Sequence, residues 1–550
     1  MMAPESNRYK KILIGVIVVA LVLLGKIFYI QLITDKYKKA SESNAVVYDV
    51  IYPPRGIIFD RNGLPLVTNQ ASYDIMVSPR KVDGFDTVRL AEILDTTVDF
   101  IRQKMEYYRT YRTRIGFQEQ TLIRQANPSS YMKFCELQYL FPGFRGQTRV
   151  IRDYPFNSGG NLLGYISEVD ADYLAAHPGE YKSGEYIGKT GIEAVMEEQL
   201  RGEKGYKLYS RDSRNIIQDS YKNGELDKDA VPGKNVRTTI DANLQQYGQE
   251  LMKGKSGSLI AIEPATGEIL AMGSSPGIDV NVLGDIGKYY DALSKDPHKP
   301  MFNRTVQASY PPGSVFKLVN GLIGLQEGVL EPWMTYPCDR GYSYANNRKL
   351  GCHSHRSPLN LEEAIMMSCN AYFCYVLKNI LSNSKYSSTE EAFDAWREYV
   401  TSFGFSEKLG ADFTHELGGN IPTSKYYNKM YGKGRWRFQT IVSLSIGQGE
   451  IGVTPLQLAN FCATLANRGY FYTPHIVKDS DDLQIDARFK ERHYTKVDTT
   501  HFHKVIKGMW RAVNCVPGEG GTATAAAVPG LDICGKTGTA QNPHGKDNSV

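Results

Sequence analysis

One stretch of this chain is incompatible with a water-facing surface. Ile12 to Gly25 reads ILIGVIVVALVLLG without a polar side chain, and the apolar trend resumes as IFYIQLI after Lys26. Those 14 residues are too few for a helix that crosses a bilayer, which needs roughly 20. Ile12 to Ile33 supplies 22 once the Lys26 amine snorkels to the interface. One transmembrane helix is expected there. The apolar stretch is long for a cleaved signal peptide and no clear small-x-small cleavage site follows it, and a buried core helix is the other alternative. Arg8, Lys10 and Lys11 on one side are matched by Lys36, Lys38 and Lys39 on the other, so the positive-inside rule leaves the orientation open.

Beyond this segment the chain is ordinary. Its 550 residues suffice for three or four domains, and 42% hydrophobic with 22% charged residues exclude a disordered chain or a bundle of membrane spans. A net charge of +5 over this length makes no case for a nucleic-acid protein. Eight cysteines are too sparse for a disulfide-built scaffold.

Past the anchor, IYPPRGIIFDRNGLPLVTN places Asn62-Gly63 between two apolar runs, a hairpin signal. Residues 81–144 carry helical spacing, as in AEILDTTVDFIRQKMEYY, and are expected to form an inserted lobe. Within it YYRTYRTR interleaves aromatics with arginines. That pattern suits single-stranded nucleic acid, but no wider basic field surrounds it, and a solvated or partner-contacting surface is the better expectation. Asp241 caps a predicted helix, and SLIAIEPATGEILAMGSSP reads as two short strands that open a second large domain. The expected organisation is a tail over 1–11, an anchor over 12–33, a non-catalytic region over 34–245 and a large domain over 246–550.

Three short motifs carry chemistry. In YPPGSVFKLVNGLIGLQEG, Ser314 opens a helix whose predicted apolar face is Val315, Leu318, Val319, Leu322 and Leu325, and Lys317 follows one turn on. Side chains three apart share a helix face, so the amine is expected to reach the serine hydroxyl and act as the base a serine nucleophile needs. Other Ser-x-x-Lys matches begin at Ser78, Ser130 and Ser382, but none has the Pro-Pro-Gly lead. Ser368-Cys369-Asn370 lies where one helix gives way to another, and both polar side chains can enter one cleft only from a turn. LDICGKTGTAQN is predicted to be a strand carrying Lys536, Thr537, Gly538 and Thr539, with the two threonines on one face. Gly530-x4-Gly535-Lys536-Thr537 also fits a phosphate-binding P-loop by letter, but Gly538 and Pro543 argue against the helix that must follow.

Taken together and in this order, the three motifs resemble those of the penicillin-recognising serine enzymes. Arg55 to Gly63, Arg152-Asp153-Tyr154-Pro155, Gly188-x-x-Gly191-x-Glu193, Asn303-Arg304 and Val453-Thr454-Pro455-Leu456-Gln457 extend the likeness to class B penicillin-binding proteins. Gly447-Gln448-Gly449-Glu450 is similar to the elongation branch, penicillin-binding protein 2, rather than the division branch. The resemblance implies an α+β fold: a transmembrane helix, an elongated β-rich pedestal with an inserted helical lobe, and a transpeptidase domain with an antiparallel sheet flanked by helices. It implies a peptidoglycan D,D-transpeptidase that joins stem peptides and is blocked by β-lactams, held in the bacterial inner membrane with its bulk in the periplasm. By position, Ser314 is the implied nucleophile, Lys317 its base, Ser368 the proton carrier to the leaving D-Ala and Lys536 the group that holds Ser368. Asn370 would bind the donor peptide, and Thr537, Gly538 and Thr539 would line its carboxylate site. No cofactor is implied. Implied partners are a SEDS-type, RodA-like glycan polymerase and a scaffold of the elongation complex. The family continues past Val550 with a further strand and helix, so a truncated sequence is expected. A D,D-carboxypeptidase, a β-lactamase and a catalytically silent sensor or scaffold share the motifs, and the anchor and pedestal weigh against the two hydrolases.

Cys338, Cys352, His353 and His355 cluster just before the Ser-x-Asn turn. They are weak candidates for zinc, Cys338 and Cys352 could instead form a disulfide in an oxidising compartment, and unlinked thiols are the third alternative. Cys369, Cys374 and Cys462 are expected to be buried thiols.

Overall fold

The computed structural model describes residues 6–29, 46–82, 84–111, 119–182, 184–211, 217–345, 348–478 and 483–540. They belong to two compact units, one formed by residues 1–55 and 201–233, the other by residues 56–200 and 234–550. In the first unit, Ser6–Phe28 is helical. Its segment Tyr9–Phe28, 20 residues, is long and apolar enough to cross a membrane and is not buried by protein. Ile30 to Ile33 of the expected span fall outside the described residues. A three-stranded antiparallel sheet follows, with Gly205–Arg211 between Val46–Ile51 and Ile217–Ser220.

The second unit begins with the expected hairpin, Ile58–Phe59 against Pro65–Val77. Asp60 closes its turn by accepting from the amides of Asn62 and Leu64 at 2.8 and 2.7 Å, and Gly63 supplies a φ of +92° that a residue with a Cβ seldom takes. Pro65–Val77 then pairs antiparallel with Phe144–Asp153 and, near its end, with Gln120–Ile123. The lobe helices Thr87–Ile93 and Val98–Thr110 are capped by Asp86 and Thr97. They set Leu90, Ile101 and Met105 against Ile75 and Val77 of that long strand, so the lobe shares its core with the sheet. Tyr107 and Arg109 lie exposed on the second helix, and Arg112 and Arg114 fall outside the described residues.

A second core joins the pedestal base to the large domain. Ile58, Val67, Leu162 and Ile192 pack with Ile269, Met272, Leu456 and Ile476. Glu268 ties the same seam by accepting from Arg61 at 3.1 Å and Lys478 at 3.0 Å. Beneath it Arg152 and Glu193 are 2% and 0% exposed and meet at 2.5 Å, while a second Arg152 nitrogen donates to Asn69 at 2.8 Å. The glycines of the Gly188-x-x-Gly191-x-Glu193 motif permit close backbone approaches, since a Cβ on Gly188 would lie 2.0 Å from the Glu193 carbonyl oxygen and one on Gly191 2.3 Å from that of Leu162.

The largest core surrounds the helix Phe316–Gln326. The sequence predicts one apolar face, but residues 316–325 are buried on every side. The helices Asn370–Leu381, Thr389–Ser402 and Phe502–Asn514 contribute to the same core. Asn320 is tolerated inside because its amide donates to Ser445 O at 3.1 Å and accepts from the Trp396 indole at 2.9 Å. Gly257–Ile262 and Ile269–Ser275 form the predicted antiparallel pair. Leu531–Ala540 differs from prediction: it pairs with no strand among the described residues. Its backbone bonds run instead to the helix beside it, from Gly535 N to Met509 O at 3.2 Å and from the Asn514 amide to Ile533 O at 2.7 Å.

Removing one partner of a buried ion pair strands the other charge and typically costs ~3–5 kcal/mol. Arg152→Ala is therefore expected to lower the stability of the full chain by about that much in urea unfolding, and the paired change Arg152→Met with Glu193→Leu to recover most of it.

Candidate active site

Three stretches of backbone interlock at the start of the buried helix. Gly313 takes φ +57°, and a Cβ there would lie 2.5 Å from the Thr539 carbonyl oxygen. Its amide donates to Gly447 O at 2.9 Å. Gly447 has φ +70°, and its own Cβ would lie 2.3 Å from Gly313 O. The glycines before Ser314 and in Gly-Gln-Gly-Glu therefore permit one close backbone approach. Ser314 follows, half-exposed, in the 3-10 turn Gly313–Val315 that leads into the helix.

Lys317 has no exposed surface. Its amine donates to Asn370 Oδ1 at 2.6 Å, to Ser368 O at 2.7 Å and to Ser368 Oγ at 3.2 Å. Here the structure departs from the expectation that the amine meets Ser314. Ser314 Oγ has no hydrogen bond among the described residues, and the amine is turned to the Ser-x-Asn turn, where three acceptors offset its desolvation. That turn is possible because Ser368 adopts φ +52° between the helices Leu361–Met366 and Asn370–Leu381. A non-glycine residue in the left-handed region is uncommon, and here it lets residues 368 and 370 face the same amine. The other side of the Asn370 amide donates to Gly351 O at 2.6 Å.

Lys536 approaches from the opposite side and donates to Ser368 Oγ at 2.8 Å and to Thr537 O at 3.1 Å. Ser368 thus lies between two lysines. Burial lowers the Lys317 pKa to about 8, and burial together with the Lys317 charge lowers Lys536 to about 6. The two amines titrate as a pair. Thr537 donates to Thr522 Oγ1 at 3.3 Å, and Thr522 donates to Met366 O at 3.1 Å. Thr522 therefore braces the Lys-Thr-Gly segment against the Ser-x-Asn turn, and nothing in its local sequence marks it. Gly538 lies against Val315 and Pro312, where a Cβ would meet neighbours at 3.3 and 3.4 Å, and Thr539 is exposed beside Gly313. No helix follows Lys536 through Ala540, which removes the P-loop alternative.

The cysteine cluster differs from its predicted membership. Ligand atoms of Cys338, Cys352, His355 and Cys369 lie within 4.8 Å of one another, so Cys369 takes the place expected for His353. The Cys352 sulfur contacts His355 Nε2 at 3.3 Å, and His355 Nδ1 is held by Arg356 O at 2.6 Å, an outer contact of the kind that orients a metal-binding imidazole. Three thiols and one imidazole fit a tetrahedral zinc ion. Cys374 is buried as expected, Cys462 is exposed, and all eight cysteines are free thiols.

Residues 257–549 match the penicillin-binding protein transpeptidase domain, and residues 50–238 match the penicillin-binding protein dimerisation domain. The chain is 30% identical to peptidoglycan D,D-transpeptidase MrdA of Acinetobacter baumannii, covering 96% of this chain and 77% of that protein. It is 28% identical to MrdA of Escherichia coli K12, covering 96% and 83%. Two solved structures share the fold at 24% identity. One is the complex between PBP2 and MreC from Helicobacter pylori, with a TM-score of 0.70 over 90% of each chain. The other comes from a study of the coordination of polymerization and crosslinking by a peptidoglycan synthase complex, with a TM-score of 0.65 over 98% and 89%.

In spectra of protein labelled with nitrogen-15 at the lysine side chains, two amines are expected to titrate far below the rest, near about 6 and about 8. Lys536→Met should leave a single such amine.

Proposed function

The chain belongs to the penicillin-binding proteins, class B and elongation type, and on that premise we infer that it is a peptidoglycan D,D-transpeptidase acting through Ser314. The observation that carries this reading is the Lys317 amine. It is buried one turn beyond Ser314, and burial depresses its pKa to about 8, into the range a general base requires, while its bonds to Ser368 and Asn370 hold it in place and favour its charged form.

In the first half-reaction Ser314 Oγ attacks the penultimate D-alanyl carbonyl carbon and Lys317, when neutral, takes the hydroxyl proton. The oxyanion forms beside the backbone amides of Ser314 and Thr539, where fixed donors are worth most. As the C–N bond breaks, Ser368 donates its proton to the departing D-Ala amine and is resupplied from the lysine pair. Thr537 and Thr539 receive the terminal carboxylate, with Gly538 leaving room for the peptide backbone. Asn370 binds the donor peptide by exchanging its bond to Gly351 O for one to substrate. In the second half-reaction an acceptor amine attacks the ester, its proton returns through the same groups, and Ser314 is released with one new amide bond. A β-lactam enters by the same attack and stays as the acyl-enzyme.

The domain assignment is proposed as a cytoplasmic tail over 1–11, an anchor over 12–33, a pedestal over 34–245 and a transpeptidase domain over 246–550, which places the bulk of the chain in the periplasm. The proposed partners are a RodA-like polymerase at the membrane helix and the pedestal around Arg55 to Asn69, and a scaffold at the pedestal and the 81–144 lobe. The support is physical: a tether to the enzyme that makes the strand raises the effective concentration of the peptides to be joined.

Mass spectrometry after incubation with labelled penicillin tests the site. Ser314→Ala should abolish the adduct, and Lys317→Ala should slow acylation by ~10² to 10⁴ with the fold intact; a label on Ser78, Ser130 or Ser382 would contradict the assignment. Because the base must be neutral, the acylation rate should rise with pH, about tenfold per unit at low pH, and level off above about 8. Charge reversal at Arg109, Arg112 and Arg114 should weaken co-purification of the scaffold and leave acylation of Ser314 unchanged.

A further inference from the structure

The cysteine cluster abuts the acylation site, since Cys369 is the middle residue of the Ser-x-Asn turn and Asn370 is bonded to the cluster on one side and to Lys317 on the other. Cys352 Sγ accepts the Asn370 amide N–H at 3.3 Å, and the carbonyl of the preceding Gly351 accepts from the Asn370 side chain at 2.6 Å. The opposite end of that side chain receives the Lys317 amine at 2.6 Å. The end of the hairpin Gly341–Ala345 and Arg348–Gly351 thereby holds Asn370 at two points, one of them a sulfur.

Three of the four cluster members are thiols, and thiols do something that carboxylates and imidazoles cannot: two of them can give up two electrons and join. Cys338 and Cys352 are the pair placed for it. Both are half-exposed, whereas Cys369 is fully buried. They flank the same hairpin, where the Cys352 amide donates to Arg340 O at 3.0 Å and Gly341 pairs with Gly351. Their sulfurs lie within 4.8 Å of each other, and a disulfide brings them to about 2.05 Å, so the pair must close up, and any displacement of the Cys352 sulfur acts on its 3.3 Å contact with the Asn370 amide.

We propose that Cys338 and Cys352 form a redox lock on the acylation site, in which their oxidation to a disulfide removes the sulfur that holds Asn370 and slows acylation. The proposal rests on the assignment of Ser314 and Asn370 above. The oxidant is a protein or low-molecular-weight disulfide. Its S–S bond is reduced to two thiols while one S–S bond forms between Cys338 and Cys352; from the free thiols the two S–H protons pass to the departing thiols, and from the zinc-loaded form two S–Zn bonds break and solvent supplies those protons. The bond also withdraws two of the four groups suited to zinc and leaves only His355 and Cys369, so a bound ion protects the thiols and is released on oxidation.

The test uses the full chain in detergent, reduced and loaded with zinc, then exposed to oxidised glutathione. Three readouts are followed: peptide mapping of cysteine links, zinc release to a chromophoric chelator, and the rate of labelling of Ser314 by fluorescent penicillin. The lock predicts a Cys338–Cys352 link, release of about one zinc per chain, a fall of about tenfold or more in labelling rate, and recovery with dithiothreitol and zinc. Cys338→Asp, which keeps a metal-binding oxygen and cannot be oxidised to a disulfide, should retain its labelling rate under oxidant; Cys338→Ser serves if that variant does not fold. A link formed elsewhere, thiols that remain free, no zinc in the reduced protein, or a Cys338–Cys352 link with unchanged labelling would each overturn the proposal. If reduced protein is not labelled at Ser314 at all, the functional assignment fails instead, while the link and the zinc release remain readable.

Discussion

A primary amine with no exposed surface must either lose its proton or be surrounded by acceptors, and the Lys317 amine dictates much of what lies around it. Its three acceptors come from two residues of one turn, Ser368 and Asn370. To offer a carbonyl, a hydroxyl and an amide oxygen to the same point, the chain turns through a left-handed serine between two helices. Asn370 can hold its oxygen there because its nitrogen is anchored on Gly351 O. The position of a distant hairpin is thus felt at the amine through one side chain.

The same principle organises the pedestal with a different chemistry. Arg152 and Glu193 meet out of water, and beside Glu193 the glycines permit close backbone approaches, Gly188 against the Glu193 carbonyl and Gly191 against that of Leu162. At the active site the close approach is between backbones rather than charges: Gly447 against Gly313, and Gly313 against Thr539. Both arrangements make single atoms costly to change, which is why motifs separated by hundreds of residues act as one object.

Much of this was legible before the structure. Asn62-Gly63 marks a hairpin, Asp241 marks a helix start whose Leu244 amide it caps, and the apolar run marks the long N-terminal helix. These signals are local, and local physics suffices to read them. The misses are of another kind. Helical spacing put Lys317 on the same face as Ser314, but the amine chose partners 51 and 53 residues away. Lys536 reaches Ser368 across 168 residues. Cys369 displaced His353 from the thiol cluster because the left-handed turn at Ser368 sets the next residue, and no periodicity announces such a turn. The sequence predicts a strand over 531–542, but a local pattern does not say whether a neighbouring strand is there to exchange hydrogen bonds, and residues 531–540 pair with none among the described residues.

The hydrogen count at Ser368 links the two lysines to a direction of proton flow. Three donated bonds from Lys317 are what an ammonium makes; a neutral amine has two hydrogens and a lone pair. Losing the proton releases the longest of the three, the 3.2 Å bond to Ser368 Oγ, and leaves a basic nitrogen one turn beyond Ser314. While Lys536 still donates to Ser368 Oγ at 2.8 Å, the serine hydrogen is free to point to Lys317 or outward to a leaving amine. In the proposed mechanism a proton taken from Ser314 would recharge Lys317 and make a second charge on Lys536 more costly, since burial and the Lys317 charge already depress it. Under that proposal the Ser368 hydroxyl, bonded to both amines, is the group that would relay a proton to the leaving amine.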